Sequence, residues 1–416
     1  MPDAPHPKIL PFLESCLPAG MAHLESWVAQ NSFTANASGV NALGQVTADA
    51  FAPLGFEREC VASEHANYGS HLFLRRGGRG RAPIVLVTHL DTVFPEAEEK
   101  ANAFFWRPEP GEGRIYGPGT VDIKGGTLVI WLVLRALAEL APDVFELHDW
   151  LIAANASEEA LSADFGQRTA ERCLVSENGP TRAAAVLVFE SGLLRSREFT
   201  LVTGRKGKAD FRVTASGRGA HAGSQLAEGR NAIVALSEAV MRLAALTDPA
   251  REVTVNVGAI RGGTVVNRVP HEAACDLEMR AFDEKVFAAT RSAIAGLSGP
   301  APAVPGAVLK VEQTGASPAW PGDSGTLRLL DVFREAAAAQ CASVVPERRG
   351  GLSDANYLAG VGPTLDGLGP SGGCAHCSER SADGSKTPEY VESGSFIPKA
   401  ALVFEALRRL ARTHAA

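Results

Sequence analysis

Apolar and polar positions change period along the chain, and the changes separate two kinds of fold. "APIVLVTHLD" (82–91) is a β-branched run ending in polar residues, which predicts a buried strand. In "KGGTLVIWLVLRALAELAP" (124–142), Val129, Leu132, Val133, Ala136, Leu137 and Leu140 recur at helical spacing, and Pro142 marks the end. Two more apolar strands follow, "WLIAA" (150–154) and "AAAVLVFE" (183–190). Between them "EEALSADFGQRTAERCL" (158–174) reads as a helix. Strand, helix, strand, helix is the order of a mostly parallel sheet sandwiched by helices, an α/β fold.

Near residue 200 the period shortens to two. "FTLVTGRKGKADFRVTASG" (199–217) predicts half-buried strands. "NAIVALSEAVMRLAAL" (231–246) is an amphipathic helix with Ile233, Leu236, Val240 and Leu243 on one side. "VTVNVGAI" turns Val253, Val255 and Val257 one way. "CDLEMRAF" turns Cys275, Leu277 and Met279 one way and Asp276, Glu278 and Arg280 the other. A helix over 283–297 and a strand over 307–313 complete a β-α-β-β-α-β unit of ferredoxin-like α+β type, with "LSGPAPAVPGA" (297–307) as a loop. From about residue 316 the α/β character returns and runs to the helix "IPKAALVFEALRRLAR". The expected organisation is a first domain over 1–202 and 316–416, with 203–315 inserted into it.

A formal charge of −7 argues against nucleic acid as a partner. No apolar run approaches the roughly 20 residues of a membrane span, and the first residues lack a secretory signal. Seven scattered cysteines fit reduced thiols and a cytoplasmic location. "CAHC" (374–377) has zinc-knuckle spacing, but no second such pair exists to complete a structural site.

Ligands of doubly wound sheets bind at the carboxyl ends of the strands. There the chain places His89 and Asp91, then Asp122 among glycines, the adjacent pair Glu158-Glu159, Glu190, and later His376. Any one of these reads equally as a turn or structural residue. Together, imidazoles and carboxylates suit zinc, and also cobalt or manganese. Two cations sharing one carboxylate account for the set: Asp122 as bridge, His89 and Glu190 on one, Glu159 and His376 on the other. Asp91 would accept the second ring N–H of His89 and fix its tautomer. In an extended backbone neighbouring side chains diverge, so Glu158 would face a water as general base while Glu159 ligates.

These residues lie in motifs that resemble one family, the zinc-dependent aminoacylases and carboxypeptidases. It includes glutamate carboxypeptidase (carboxypeptidase G type), acetylornithine deacetylase and succinyl-diaminopimelate desuccinylase. "THLDTVFP", "GPGTVDIKGG" and "SEEALS" resemble its ligand motifs, and "GRGAHAGSQLAEGRNAI", "GGTVVNRVP", "MRAF" and "GGLSDANY" fall where it has counterparts. The likeness runs from about Trp27 to the end, and glutamate carboxypeptidase matches best. The resemblance implies a dizinc exopeptidase fold, an inserted dimerisation domain and a homodimer. It implies hydrolysis of an amide beside a free carboxylate, releasing a C-terminal amino acid; an N-acyl-amino-acid deacylase or dipeptidase would use the same site. His221 would serve the partner's active site by stabilising the oxyanion. Arg280 would grip the substrate carboxylate, Asn267 would donate a hydrogen bond, and Gly350 and Gly351 would let backbone approach the substrate.

The chain departs from the family at Ser157, where Asp is usual, and at Leu161, where Gly is usual. It also carries a longer loop, "CSERSADGSKTP", between His376 and Glu389-Tyr390. Cys374 and Cys377 flank His376 as potential competing soft ligands.

Overall fold

The computed structural model describes residues 4–160, 162–173 and 183–413; Leu161 and Leu174 lie outside them. The chain divides into two units. The first comprises Met1–Thr203, Gly322–Arg348 and Ser353–Ala416, the second Gly204–Pro321 and Arg349–Leu352. The insertion thus ends at Pro321, six residues beyond the boundary expected at 315. The glycine pair Gly350-Gly351, expected in the first domain, belongs to the second unit.

The first unit is built on a six-stranded sheet. Its order is Glu57–Ala62, Ser70–Arg76, His148–Asn155, Arg81–His89, Ala185–Val188, Thr364–Leu365. The last four strands pair in parallel, and the first two join antiparallel at one edge. Ile84, Val85, Leu86 and Val87 are all fully buried, as expected of a central strand covered on both faces. Alternate residues Ile84 and Leu86 join the core formed with helices Ile9–Ala29, Lys124–Leu140 and Phe396–Thr413. Toward the antiparallel edge, Phe73 stacks on Phe165 of helix Ala163–Cys173. Helix Lys124–Leu140 is buried all round from Lys124 to Leu134, not only along the stripe its spacing marks. That is the state of an apolar helix held between other helices and a sheet.

A smaller four-stranded sheet matters for the site. Its order is Gly372–Gly373, Tyr390–Glu392, Arg114–Tyr116, Arg107–Glu109, with Tyr390 opposite Tyr116. It sets the segment entering the His376 loop close to the segment leading to Asp122.

The second unit has the expected β-α-β-β-α-β core. Its sheet order is Thr254–Gly262, Glu272–Ala281, Gly207–Ser216, Val308–Ser317, then a short strand Gly299–Pro300. This short strand, paired with Val308–Leu309, forms within the segment expected to be loop. Strict alternation drives the architecture: Cys275, Leu277 and Met279 are buried with Phe211, Val213, Leu236 and Phe287 in one core. Asp276, Glu278 and Arg280 take the other face. The two helices start on side-chain caps, Asn231 for Ala232–Ala244 and Asp283 for Glu284–Ala295.

Candidate metal centre

Six of the side chains singled out at strand ends meet in the first unit. His89 closes strand Arg81–His89 and is 2% exposed. Its Nδ1 lies 2.9 Å from the Asp91 carbonyl oxygen and 3.5 Å from Asp91 Oδ1. Nδ1 therefore directs a proton toward Asp91, and Nε2 is the ring nitrogen left to act as a ligand on the other side. There Nε2 is 3.2 Å from Asp122 Oδ1 and 3.8 Å from Glu190 Oε1. Glu190 stands two residues past the end of its strand.

Asp122 turns its other oxygen the opposite way. Oδ2 lies 3.3 Å from His376 Nε2, which is also 3.2 Å from Glu159 Oε2. His89, Asp122 and Glu190 form one triad and Asp122, Glu159 and His376 a second. Within each, the ligating atoms lie within 4.8 Å of one another. A tetrahedral cation with ligands at about 2.0–2.1 Å separates neighbouring ligand atoms by about 3.4 Å. The observed separations bracket that value, and the donor set is the one divalent first-row cations take. The two triads meet different oxygens of Asp122, an arrangement that would suit a carboxylate shared by two cations.

Glu158 and Glu159 do not lie in extended backbone, as the sequence suggested, but on a 3-10 turn, Glu158–Ala160. Successive side chains of such a turn point about 120° apart, so the pair still diverges. The turn is held from beneath by Asp91, which is 1% exposed. Its Oδ1 accepts from Glu158 N at 3.0 Å, and its Oδ2 from Glu159 N at 3.2 Å and Thr34 Oγ1 at 2.7 Å. Asp91 thus orients one imidazole and both glutamates.

Electrostatics follow from this crowding. Burial raises Glu158 well above the usual carboxylate range, and Glu190, Asp354 and Glu159 add to it against the pull of His89. Burial likewise raises Glu159. Burial acts against the charge on Asp122 too, but His376 and His89 hold this carboxyl well below its ordinary value. His376 is pushed up to about 10 by its bonds to Asp122 and Glu159. Burial alone would lower His89, yet Asp122 and Asp91 raise it well above its ordinary value. The carboxylates draw positive charge to this point, which divalent cations supply at higher density.

Several residues behind the site escaped the sequence reading. Asn155 Nδ2 donates to Asp354 Oδ1 at 2.7 Å, while Asn155 Oδ1 accepts from Ser157 N at 3.0 Å and Ser162 Oγ at 2.7 Å. Asp354, in "GGLSDANY", is pushed up to about 7 by burial. The signal available was an acid inside that motif, but its partner is 199 residues away.

The other expected site residues belong to the second unit. His221 is exposed, and its Nδ1 accepts from Gly223 N at 3.1 Å and Ser224 N at 3.2 Å, which leaves Nε2–H as an outward donor. Asn267, also exposed, is tied to the same place by its carbonyl, which accepts from Ala222 N at 3.0 Å. Arg280 is already engaged: Nε and Nη2 fork onto Glu278 at 3.0 Å each, and Nη1 donates to Gly350 O at 2.9 Å. Gly350 and Gly351 are exposed, and the Gly351 carbonyl accepts from Arg205 Nη1 at 3.1 Å. Cys374 and Cys377 are free thiols, and among the described residues neither joins a group of ligating atoms.

A family model described as a peptidase dimerisation domain matches residues 203–301. Over 388 residues the chain is 29% identical to carboxypeptidase G2 of Pseudomonas sp. (strain RS-16), a match covering 92% of this chain and 86% of that one. Acetylornithine deacetylase of Pasteurella multocida (strain Pm70) is 28% identical over 246 residues, 56% of this chain and 58% of the relative. Among solved structures, aminopeptidase PepT from Bacillus cereus ATCC 10987 shares the fold with a TM-score of 0.72 at 22% identity, over 94% of this chain and 98% of that one. Motifs, fold and relatives agree: the chain is an enzyme of metallopeptidase type, similar to the family that its motifs resemble, and its second unit contains the residues matched as a peptidase dimerisation domain.

Proposed function

We propose that the protein hydrolyses an amide bond adjacent to a free carboxylate and releases a C-terminal amino acid, in the manner of a glutamate carboxypeptidase. One observation carries this reading: two ligand triads share Asp122, and Glu158 stands on the same turn as the ligand Glu159. His89 and Glu190 would hold one divalent cation, Glu159 and His376 the other, with Asp122 between them. Zinc fits the donor set, as do cobalt and manganese. Bound there, such cations supply Lewis acidity and bring the pKa of water toward neutral.

The chain's own residues do the rest. Glu158 takes the proton of the attacking water at its carboxylate and later gives it to the departing amine nitrogen. Its burial favours holding that proton between the two transfers. Asp91 keeps the Glu158 backbone and the His89 ring in place. His221, with Nε2–H turned outward, has the donor needed to stabilise an oxyanion, and we assign it to a second copy's site. Arg280 would bind the substrate carboxylate by exchanging Glu278 for it, with Asn267, Gly350 and Gly351 as neighbouring contacts.

A homodimer is supported by the second unit. Strand Thr254–Gly262 is an open sheet edge, and Ile260, Val234 and Met241 are 58%, 47% and 71% exposed on the same unit. A cytoplasmic setting is supported by seven cysteines that are all free. Among the described residues no helix is long and apolar enough to cross a membrane.

Glu158→Gln tests the reading. Hydrolysis of N-acyl and peptidyl amino acids should fall by about 10²–10⁴ with metal content unchanged. Wild-type activity on C-terminal carboxamides equal to that on free acids would contradict it. The deacetylase relative favours an N-acyl-amino-acid deacylase as the second reading. Rates on N-acetyl, N-benzoyl and peptidyl substrates separate the two.

A further inference from the structure

Glu389 is fully buried, and nothing in the chemistry above uses it. Its Oε1 accepts two backbone N–H groups, from Val121 at 2.9 Å and Asp122 at 3.1 Å. Its own N–H donates to Cys377 O at 2.7 Å, and its carbonyl accepts from Gly117 N at 3.4 Å. Oε2 is buried with no hydrogen-bond partner. Burying a carboxyl with one oxygen unsatisfied costs stability, so its contribution to folding does not explain its presence.

The connections explain it better. Asp122 and His376 stand on loops, whereas Glu159, the third member of their triad, stands on the turn that Asp91 already holds. Residues 378–388 form an excursion between His376 and Glu389, and the bond from Glu389 N to Cys377 O closes its base one residue from His376. The same residue's side chain grips the backbone N–H of Asp122. Glu389 is therefore a single brace between the two loops, reinforced by the pairing of Tyr390 with Tyr116. His89 and Glu190 do not depend on it: His89 ends a strand and is held by Asp91, and Glu190 follows another strand.

We infer that Glu389 is a positioning residue that sets the separation of Asp122 and His376, so that it controls cation binding at the Asp122–Glu159–His376 triad more than at the His89–Asp122–Glu190 triad. The inference rests on the ligand assignment proposed above. What the brace requires is an acceptor oxygen at Oε1, not the charge. Gln keeps that oxygen, Met fills the volume without it, and Asp withdraws it by one methylene.

The test titrates the metal-free full chain with Zn²⁺ against a chromophoric chelator and counts bound ions by native mass spectrometry. Wild type and Glu389→Gln should bind two ions per chain with matching affinities, and Glu389→Gln should melt no lower than wild type. Glu389→Met should keep one ion and bind the second about 10–100-fold more weakly, the usual scale for a partner that orients a ligand. If Glu389→Met does not fold, Glu389→Asp serves, with the same selective weakening. Two ions bound at wild-type affinity by a folded Met or Asp variant would overturn the inference and leave the ligand assignment standing. A wild-type chain that binds no pair of ions would instead overturn the assignment itself.

Discussion

Asp91→Asn replaces one oxygen of a buried carboxylate by an NH₂ group and changes almost nothing else in size. Wild-type Oδ1 accepts from Glu158 N, and Oδ2 from Glu159 N and Thr34 Oγ1. Thr34 can adapt, because its hydroxyl also lies 3.4 Å from the Thr92 carbonyl and can accept from the new amide. The backbone cannot. If NH₂ takes the Oδ2 position it opposes Glu159 N–H; if it takes the Oδ1 position it opposes Glu158 N–H. In either orientation one donor of the Glu158–Ala160 turn loses a charged acceptor, at about 1.5–3 kcal/mol. The turn must shift, and a displacement of about 1 Å at Glu158, the residue proposed as general base, is enough for roughly 10²-fold in rate. His89 keeps its bond to the Asp91 carbonyl but loses the carboxylate's charge, so cation affinity should fall about 10–100-fold. The assay pairs Zn²⁺ affinity by chelator competition with kcat and KM at saturating zinc. The expected outcome is weaker metal binding and a lower kcat with little change in KM. Metal affinity and kcat both within threefold of wild type would refute the role given to Asp91.

Three further outcomes follow from other parts of the molecule. Glu278→Gln should loosen the fork on Arg280 and lower KM for carboxylate-bearing substrates several-fold, with kcat little changed; an unchanged KM would remove Arg280 from substrate binding. Asp354 is pushed from the ordinary Asp value to about 7, so in wild type the unfolded chain loses that proton first and stability drains away as pH rises from about 4 to 7. In chelated protein, Asp354→Asn should therefore gain stability over wild type across that window, to the order of a few kcal/mol, and hold a constant gain above it; urea titrations at pH 4, 5.5 and 7.5 check the slope. Burial pushes the Cys173 and Cys275 thiols up to about 11, so at pH 8 both stay protonated. A thiol reagent should modify exposed Cys60, Cys341 and Cys374 in the native protein and reach Cys173 and Cys275 only in denaturant.

Much of the architecture was legible because single faces are strongly specified. Cys275, Leu277 and Met279 alternate with charges and could only be a one-sided strand, and the helix 124–140 declared itself by spacing. The strand-end residues were legible because polar groups interrupting apolar strands are costly without a purpose. The N-terminal helices Ile9–Ala29 and Ala37–Phe51 and the hairpin Glu57–Ala62 with Ser70–Arg76 went unread. Pro18 lies within the first helix, which blurs its period. The supports of the site were out of reach for another reason. Asp354 meets Asn155, and Glu389 meets Asp122, across 199 and 267 residues, separations no local pattern encodes. Glu278 is different: alternation already put it beside Arg280 on one face, and its claim on the guanidinium could have been foreseen.

The central claim is that Asp122 joins two cation sites. Crystals of the full chain grown with Zn²⁺ and measured at the zinc absorption edge test it without any assumption about substrate. Two anomalous peaks should flank the Asp122 carboxylate, one against His89 and Glu190, the other against Glu159 and His376. A single peak remote from Asp122, or none in protein that still hydrolyses substrate, would contradict the account.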